Sequence, residues 1–409
     1  MNRLCEKEMC TGCLACYNAC NVNAIHLIKD SKGFCYPTIN NSECINCGKC
    51  TKVCPIINPI KHSDSLLKTY AVWHKNPSIL YNSSSGGFFS AISESILEQG
   101  GYIIGAAFDE NFDVNHIVIN NLNELFKLRG SKYTQSNINI IYKETKKILD
   151  NGHKVLFSGT PCQIAGLKSF LRNKEYSNLY TVDLVCHGVP SPLIFQKYRK
   201  WMENKFNSPI KEFSFRDKKW GWVRYNTKIT FLNGKIYYGK WEEDAYTRGF
   251  LRDLFLRESC YNCQHTNLNR VGDITVADFW GYKKNNFEKN NKDNGISLVI
   301  INTPKGLEAF ENCKEKLIYY RKDIQDAIKG NMALSQKTTP SVYINDFWKD
   351  FNNLKFESLI QKYLYPDPIY LYHKTLYKYG KGNYRLNLVK LYLALRKELR
   401  TIKKKIYNG

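Results

Sequence analysis

Two cysteine runs near the start of the chain decide the fold of its N-terminal part: CTGCLACYNAC at residues 10–20 and CINCGKCTKVCP at residues 44–55. Both runs follow the spacing Cys-x2-Cys-x2-Cys-x3-Cys, and each cysteine of the first run lies 34 residues before its counterpart in the second. This agreement indicates an internal duplication of one cluster-binding unit.

The spacing suits cubane iron–sulfur clusters. Three cysteines two residues apart can surround one corner of a cubane, so that three thiolates reach three irons. The fourth cysteine starts the next helix, points away and binds the other cluster. The sequence therefore predicts two [4Fe-4S] clusters with these ligands: Cys10, Cys13, Cys16 and Cys54 for cluster I, and Cys44, Cys47, Cys50 and Cys20 for cluster II.

Zinc is the alternative occupant of these runs. Structural zinc takes four ligands per ion, usually from two separated Cys-x2-Cys pairs, and two complete runs of three plus one fit that poorly. Between the runs, residues 24–28 and 34–39 read as two short strands joined by a turn. Together these features predict a small bacterial-ferredoxin-like module over residues 1–60. Cys5 and Cys35 fall outside both runs, and we interpret them as packing residues.

The composition is that of an ordinary globular protein. Of 409 residues, 43% are hydrophobic and 24% are charged, which excludes a disordered chain and predicts two or three domains. The net charge of +23 excludes an acidic protein and suggests an anionic partner. No apolar stretch approaches the roughly 18 residues of a membrane span, and the N-terminus does not resemble a signal peptide. We therefore expect a cytoplasmic protein whose clustered cysteines bind metal.

An α/β core is predicted after a short linker at residues 59–65. The turn Ser83-Ser84-Ser85-Gly86-Gly87 separates a strand at residues 69–74 from a helix at residues 88–99, and a strand follows at residues 102–108. Such a turn at a helix N-terminus presents free N–H groups and a partial positive charge, which suits a phosphate. A plain helix cap with closely packed glycines explains the same residues.

Two further turns carry residues suited to a ligand. The segment Arg129-Gly130-Ser131-Lys132-Tyr133 combines two cations with an aromatic ring and could bind a diphosphate, although a solvated loop is the alternative. A strand at residues 154–157 leads through Gly159 and Thr160 into a helix at residues 164–171. This arrangement places ligands at the carboxyl ends of strands.

Four more cysteines accompany predicted strand ends. Two follow strands directly and two form a Cys-x2-Cys pair: Cys162, Cys186, Cys260 and Cys263. They could bind a third cluster. The alternative is two unrelated buried cysteines with a zinc knuckle extended by His265. His187, next to Cys186, is a candidate proton donor, with capping or packing as the alternative.

The residues from 335 to 409 change character and predict a helical, basic tail. Residues 384–406 place apolar side chains at helical spacing among many lysines and arginines. A basic amphipathic helix can lie on an anionic membrane surface or contact an acidic partner. The alternative is an exposed helix whose apolar stripe packs on its own domain.

The order of these segments resembles the beta-subunit family of coenzyme F420 hydrogenases and dehydrogenases over roughly residues 1–320. Besides the ferredoxin-type runs, five stretches carry the resemblance: Ser84-Ser85-Gly86-Gly87, Arg129-Gly130-Ser131-Lys132-Tyr133, Gly159-Thr160-Pro161-Cys162-Gln163, Asp183-Leu184-Val185-Cys186-His187-Gly188, and Cys260-x2-Cys263 with Gly272-Asp273-Ile274-Thr275 and Asp278-Phe279-Trp280-Gly281.

The resemblance implies a mixed α/β protein in which a 2[4Fe-4S] module is fused to a flavin-binding core. Residues 66–150 and 151–330 would form the two parts of this core. The core would bind FAD, with the diphosphate near these residues: Ser85, Gly86, Gly87, Gly159 and Thr160. Arg129 or Lys132 would compensate its charge. The resemblance also implies a cluster near the flavin, which supports the third set of cysteines.

The expected function is electron transfer from a ferredoxin-like donor through the clusters to FAD and on to a small organic acceptor. That acceptor would be a deazaflavin coenzyme or an intermediate of polysaccharide biosynthesis. One alternative is a non-catalytic relay subunit that docks on a partner enzyme. Another is a basic nucleic-acid-binding protein, which we disfavour because no aromatic–basic groove motif is organised in the sequence.

Overall fold

The computed structural model describes residues 4–60, 66–282 and 293–365. Its N-terminal module contains a hairpin of β1 (Ile25–Lys29) and β2 (Cys35–Ile39), and two short helices, α1 (Ala15–Ala19) and α2 (Lys49–Lys52). Each helix follows a residue with left-handed backbone, Leu14 with φ 59° and Gly48 with φ 70°. These two residues lie 34 positions apart, so the duplication in sequence is also a duplication in backbone conformation.

The core is built on an eight-stranded mixed sheet, and a separate three-stranded antiparallel sheet lies beside it. The strands of the large sheet run in the order β13-β3-β12-β11-β7-β6-β4-β5, and those of the small sheet in the order β10-β9-β8. Their bounds are β3 (Lys68–His74), β4 (Tyr102–Phe108), β5 (Val114–Ile119), β6 (Val155–Gly159), β7 (Leu179–Leu184), β8 (Ile210–Asp217), β9 (Asn226–Phe231), β10 (Ile236–Lys240), β11 (Ile274–Asp278), β12 (Ser297–Ile301) and β13 (Leu317–Lys322).

Five strands of the large sheet point the same way. β4, β6, β7 and β11 pair in parallel, and β3 shares their direction because β12 runs antiparallel to both β3 and β11. Their carboxyl ends therefore meet at one edge, which we call the carboxyl edge. In open α/β sheets, ligands bind outside this edge.

Helices cover both faces of the large sheet. In β4, Ile103 belongs to the buried cluster that includes α4, whereas its neighbour Ile104 belongs to the cluster that includes α6 and α7, as alternation along a strand requires. The remaining helices are α3 (Pro77–Asn82), α4 (Phe88–Glu98), α5 (Leu125–Leu128), α6 (Ile141–Asp150), α7 (Pro161–Phe170), α8 (Pro192–Phe206), α9 (Ala245–Leu251), α10 (Glu258–Tyr261), α11 (Pro304–Glu311), α12 (Ile324–Gly330), α13 (Ile344–Asn353) and α14 (Phe356–Leu359), with short 3-10 turns at 122–124, 314–316 and 332–334 and a π turn at 360–364.

The N-terminal module packs on the α7 face of the core. Cys13, Leu14 and Ala15 are buried together with residues of α6 and α7, among them Ile164 and Leu167. Burying a side chain of this size contributes about 1.5–3 kcal/mol. The module is therefore joined to the core through the same segment that carries the first cysteine run.

The first part of the predicted tail packs on the core. Phe347 and Phe351 of α13 are almost fully buried in an aromatic cluster with α8, α9 and the small sheet. Arg252 donates a hydrogen bond to the carbonyl oxygen of Tyr363 at 2.8 Å. The basic helix predicted at residues 384–406 lies outside the described residues.

Candidate redox site

An inner cavity of about 240 Å³ gathers the thiols that the sequence assigns to cluster I. Its lining includes these cysteines: Cys10, Cys13, Cys16 and Cys54, together with Cys5. The contribution of Cys54 comes from the second run, as the crossed ligation of two-cluster ferredoxins requires. The donor set and the cavity therefore fit a cubane cluster.

A smaller outer cavity, of about 20 Å³, gathers the thiols assigned to cluster II. Its cysteines are Cys20, Cys44, Cys47 and Cys50. Cys47 is exposed, and the neighbouring Ile45 is 66% exposed. The outer site therefore lies at the protein surface, whereas Cys10 and Cys13 of the inner site are each only 8% exposed.

Cys5 lies against the thiols of the inner cavity. The sequence did not predict this position, because Cys5 falls outside both cysteine runs. Its hydrogen bond lowers the pKa of both Cys10 and Cys54 to about 6, whereas burial raises the pKa of Cys13 to about 12. Within the described ranges, no three His, Cys, Asp or Glu side chains converge on a point where a single metal ion could bind. A cubane needs no such point, since each thiolate bonds to a different iron.

The four later cysteines come together near the carboxyl edge. Burial raises the pKa of Cys186 well above its usual value, and the charges of Cys260, Cys162 and Cys263 raise it further. Cys162 lies in the first turn of α7, directly after β6, and its sulfur is 3.1 Å from Oγ1 of Thr160. These positions bring into one neighbourhood side chains that are far apart in the sequence.

Two of these sulfurs each accept a hydrogen bond from a backbone N–H group. The N–H of Val189 donates to Sγ of Cys260, and the N–H of His265 donates to Sγ of Cys263, each at 3.4 Å. Hydrogen bonds to the sulfurs favour the thiolate forms that a cluster needs. The four thiols therefore fit a third cubane as a donor set.

Asp183, three residues before Cys186, holds the carboxyl end of β7 in place. Its carboxylate pairs with Arg270 at 2.9 Å, accepts a hydrogen bond from the N–H of Gly272, and accepts another from the hydroxyl of Thr275. The side chains of Asp183 and Arg270 are 0% and 1% exposed. This aspartate is therefore a structural anchor behind the cysteines.

The serine–glycine turn and the Arg129 loop lie together at the end of β3. The N–H and the hydroxyl of Ser131 both donate to Oγ of Ser84, at 2.7 and 3.0 Å. The N–H of Gly86 is bonded to Oγ of Ser297, and a Cβ added at Gly86 would lie 2.1 Å from the carbonyl oxygen of Val72. Close packing is therefore sufficient to explain why residue 86 is a glycine, whether or not the turn binds a ligand.

The two candidate cations of the loop differ in what they contact. Lys132 donates to three carbonyl oxygens at the end of α5, at 3.0–3.1 Å, and burial lowers its pKa to about 7. Arg129 donates through Nε to Oγ of Ser90 at 2.9 Å, in the first turn of α4. Lys132 therefore has its three donors occupied, whereas Arg129 lies over the helix N-terminus that follows the turn.

Gly159 and Thr160 lie with the later cysteines and not with the serine–glycine turn. Three strands separate β6 from β3, which is about 19 Å along the sheet. The N–H of Thr160 is capped by Oε1 of Gln163 at 2.9 Å. His187 is also in this region, where its Nε2 pairs with Oδ1 of Asp253 at 2.7 Å.

A group of polar and aromatic side chains around Arg216 lies at the carboxyl edge. Little in the sequence indicated that these side chains would come together. Arg216 of β8 forms two hydrogen bonds with the carboxylate of Asp278, at 2.7 and 3.0 Å, and a third with the hydroxyl of Tyr133. The rings of Trp222 and Trp280 stack beside it at 4.8 Å. Asp278 and Trp280 belong to a stretch that carries the resemblance, but nothing in the sequence paired them with Arg216 or Trp222.

Three family models match this chain. The model "4Fe-4S dicluster domain" matches residues 9–56. "Coenzyme F420 hydrogenase/dehydrogenase, beta subunit N-term" matches residues 69–141, and the model for the carboxyl-terminal part of the same beta subunit matches residues 152–327. The chain belongs to the coenzyme F420 hydrogenase/dehydrogenase beta subunit family. The predicted resemblance is confirmed, and so is the dicluster domain that precedes the mixed sheet.

Two known proteins are similar to this chain. It is 24% identical over 368 residues to the "Coenzyme F420-dependent sulfite reductase" of Methanocaldococcus jannaschii, and the match covers 82% of this chain and 53% of that protein. The chain thus spans about half the length of this relative. A solved structure titled as the F420-reducing [NiFe] hydrogenase complex from Methanosarcina barkeri aligns with a TM-score of 0.45 at 16% identity, covering 74% of this chain and 95% of the other. Among the described helices, none is long and apolar enough to cross a bilayer.

Proposed function

We propose that the chain is an iron–sulfur flavoprotein oxidoreductase that passes electrons from a ferredoxin-like donor through [4Fe-4S] clusters to FAD and on to an organic acceptor. The observation that carries this proposal is the order of its three cysteine sets. The outer cavity lies at the surface, the inner cavity lies where the module meets the core, and the third set lies near the carboxyl edge.

The inner cavity and the third set are direct neighbours. A Cβ added at Gly166 of α7 would lie 3.0 Å from Sγ of Cys13, and Cys162 lies one turn earlier on the same helix. The charges of Cys10 and Cys162 both add to the pKa rise that burial causes at Cys13. An electron at the inner site would thus have a short path into the core.

The surface around Cys47 is the proposed entry for electrons. Cys47 and Ile45 are exposed, so a small redox protein can approach the outer site closely. We place the FAD diphosphate at Ser85, Gly86 and Gly87, with Arg129 as its counter-charge. Gly159 and Thr160 would then border the third cluster. A bound flavin converts the single electrons of clusters into two-electron chemistry.

The acceptor class is an organic two-electron acceptor. The coenzyme F420 in the names of the family and of its relatives supports a deazaflavin, and an intermediate of polysaccharide biosynthesis is the second candidate. His187 is the proposed proton donor, held by Asp253. The test uses anaerobically purified chain with bound iron and flavin. Reduced ferredoxin should bleach the flavin absorbance, and adding the deazaflavin should restore it.

A relay subunit is the second candidate function. It is favoured by the match to a family described as a beta subunit, because a subunit can pass its electrons to a partner enzyme. Flavin bleaching by reduced ferredoxin without turnover of any acceptor would favour the relay. A chain without flavin after reconstitution would contradict both functions.

A further inference from the structure

A fully buried arginine joins the N-terminal module to the core. Arg257 is 0% exposed, and its Nε donates to the carbonyl oxygen of Cys10 at 2.7 Å. One terminal nitrogen donates to the carbonyl oxygen of Cys35 at 3.1 Å and lies 3.8 Å from Sγ of Cys10. The other donates to Oε1 of Gln135 at 2.9 Å. The guanidinium therefore lies against the inner cysteine cavity.

The module is shaped around this guanidinium. A Cβ added at Gly12, where φ is +68°, would lie 2.9 Å from the guanidinium, so glycine provides the space for it. The ring of Tyr36 faces Arg257 at 4.2 Å, and that of Phe34 at 5.4 Å. Aromatic faces attract a cation but do not neutralise it.

No carboxylate in the described part of the chain forms an ion pair with Arg257. A buried charge without a counter-charge is costly, by several kcal/mol. A thiol that can become anionic, that of Cys10, lies 3.8 Å from the guanidinium. Burial raises the pKa of Cys162 and of Cys260, and the charge of Arg257 opposes that rise at both. Arg257 thus lies within electrostatic reach of the inner site and of the third set.

We propose that Arg257 is a positioning residue that raises the reduction potential of the cluster bound by Cys10, Cys13, Cys16 and Cys54 relative to the outer cluster. This inference rests on the proposed electron path. Reduction adds a negative charge to a cluster, and a nearby buried cation stabilises the reduced form. Electrons that enter at the surface would then be drawn inward.

Other cations near the two cavities are more exposed, and Lys7 is already paired with Asp30 at 3.4 Å. Lys7 lines the inner cavity with a side chain that is 52% exposed, and the partly exposed Lys49 lines the outer one. Water and salt screen such charges far more than they screen a buried one. Lys7→Gln is therefore the matched control, because it removes one positive charge from the same cavity.

The test is a redox titration of the full chain, reconstituted anaerobically and followed by electron paramagnetic resonance. The inner and outer signals are assigned with Cys16→Ser and Cys47→Ser. We expect Arg257→Gln to lower the reduction potential of the inner cluster by at least about 59 mV. This shift corresponds to a tenfold change in the equilibrium constant for one electron moving from the outer to the inner cluster. The outer potential should stay the same, and Lys7→Gln should change neither.

A second variant covers the case in which Arg257→Gln does not retain its iron. Gln135→Glu keeps the arginine and gives it a carboxylate partner at the position of the present hydrogen bond. It should also lower the inner potential. An inner potential equal to that of the unmodified chain in the iron-loaded variant overturns the inference. Because the readout is the potential of the N-terminal clusters, a chain that binds no flavin would contradict the proposed function and leave this test intact.

Discussion

Gly166 of α7 contacts Cys13 of the inner cavity: a Cβ added to the glycine would lie 2.9 Å from Cβ of Cys13 and 3.0 Å from its sulfur. The same added carbon would lie 2.9 Å from the hydroxyl of Tyr142, which is fixed by its hydrogen bond to the carbonyl oxygen of Gln163. Only a residue without a side chain lets the module approach the core this closely.

Gly166→Ala should therefore loosen the docking of the module and reduce retention of cluster I. We expect iron to fall by up to about four atoms per chain during gel filtration. Gly105→Ala is the control, since a Cβ there meets its nearest neighbour at an ordinary 3.6 Å. Full iron in both variants would show that the contact does not hold the inner site.

Iron content counts the clusters. Three clusters give about twelve iron atoms per chain and two give about eight, and we expect the higher number after anaerobic reconstitution. Replacing Cys260 and Cys263 by Ser should lower it by about four. Cys5→Ser should leave it unchanged, because the four run cysteines suffice for cluster I. A plateau at the lower number that the double variant does not alter would remove the third cluster, and zinc in place of iron would contradict the cluster assignments altogether.

Arg129→Ala should lower flavin occupancy without changing iron. The expected reason is loss of the cation that lies over the first turn of α4, beside the serine–glycine turn. Flavin and iron are measured on the same sample. Lys127→Ala is the control, because that exposed lysine of α5 pairs with Glu124 in the turn just before the helix. Full flavin in Arg129→Ala would move the diphosphate site elsewhere.

Asp183→Asn should destabilise the core by about 3–5 kcal/mol, because it leaves the buried Arg270 without its counter-charge. Chemical denaturation measures the change in the free energy of unfolding. Asp113→Asn is the matched change at a surface pair, where Asp113 is 62% exposed, and it should cost at most about 1 kcal/mol. Equal effects at the two sites would contradict the anchoring role.

The basic tail should be separable from the chemistry. From residue 371 onward the chain has eleven Lys and Arg residues against Glu398 alone. Removing the residues after 380 should leave the cluster and flavin spectra intact and weaken binding to vesicles with anionic lipid, since each cation near such a surface contributes about 1 kcal/mol. Unaltered vesicle binding would contradict the surface role, and an insoluble or flavin-free product would make the tail structural.

A cut before residue 343 should behave differently. It would remove Phe347 and Phe351, which are buried against the core. Losing large aromatic side chains from a core costs about 3–5 kcal/mol each. We therefore expect this shorter chain to unfold at a lower denaturant concentration than the chain that ends at 380.

The sequence by itself determined the N-terminal dicluster module and predicted which cysteines bind each cluster. The spacing of the two runs is a local property, because a loop of fixed length must present thiolates to one cluster, and the 34-residue repeat pairs the fourth cysteine of each run with the other. The helix predicted at residues 88–99 is confirmed as Phe88–Glu98, because its apolar spacing and its terminal glycines are local signals too.

Only the tertiary structure showed the contacts between segments that are far apart in the sequence. Arg257 reaches Cys10 across 247 residues, and Arg216 reaches Asp278 from a different sheet. It also placed Gly159 and Thr160 with the cysteines, and Cys5 inside the inner cavity. Sequence spacing reports neighbours along the chain, whereas burial of a charge or a thiol depends on which distant segments pack around it. That packing is set by the order of strands in the sheet, which no single stretch of this sequence contains.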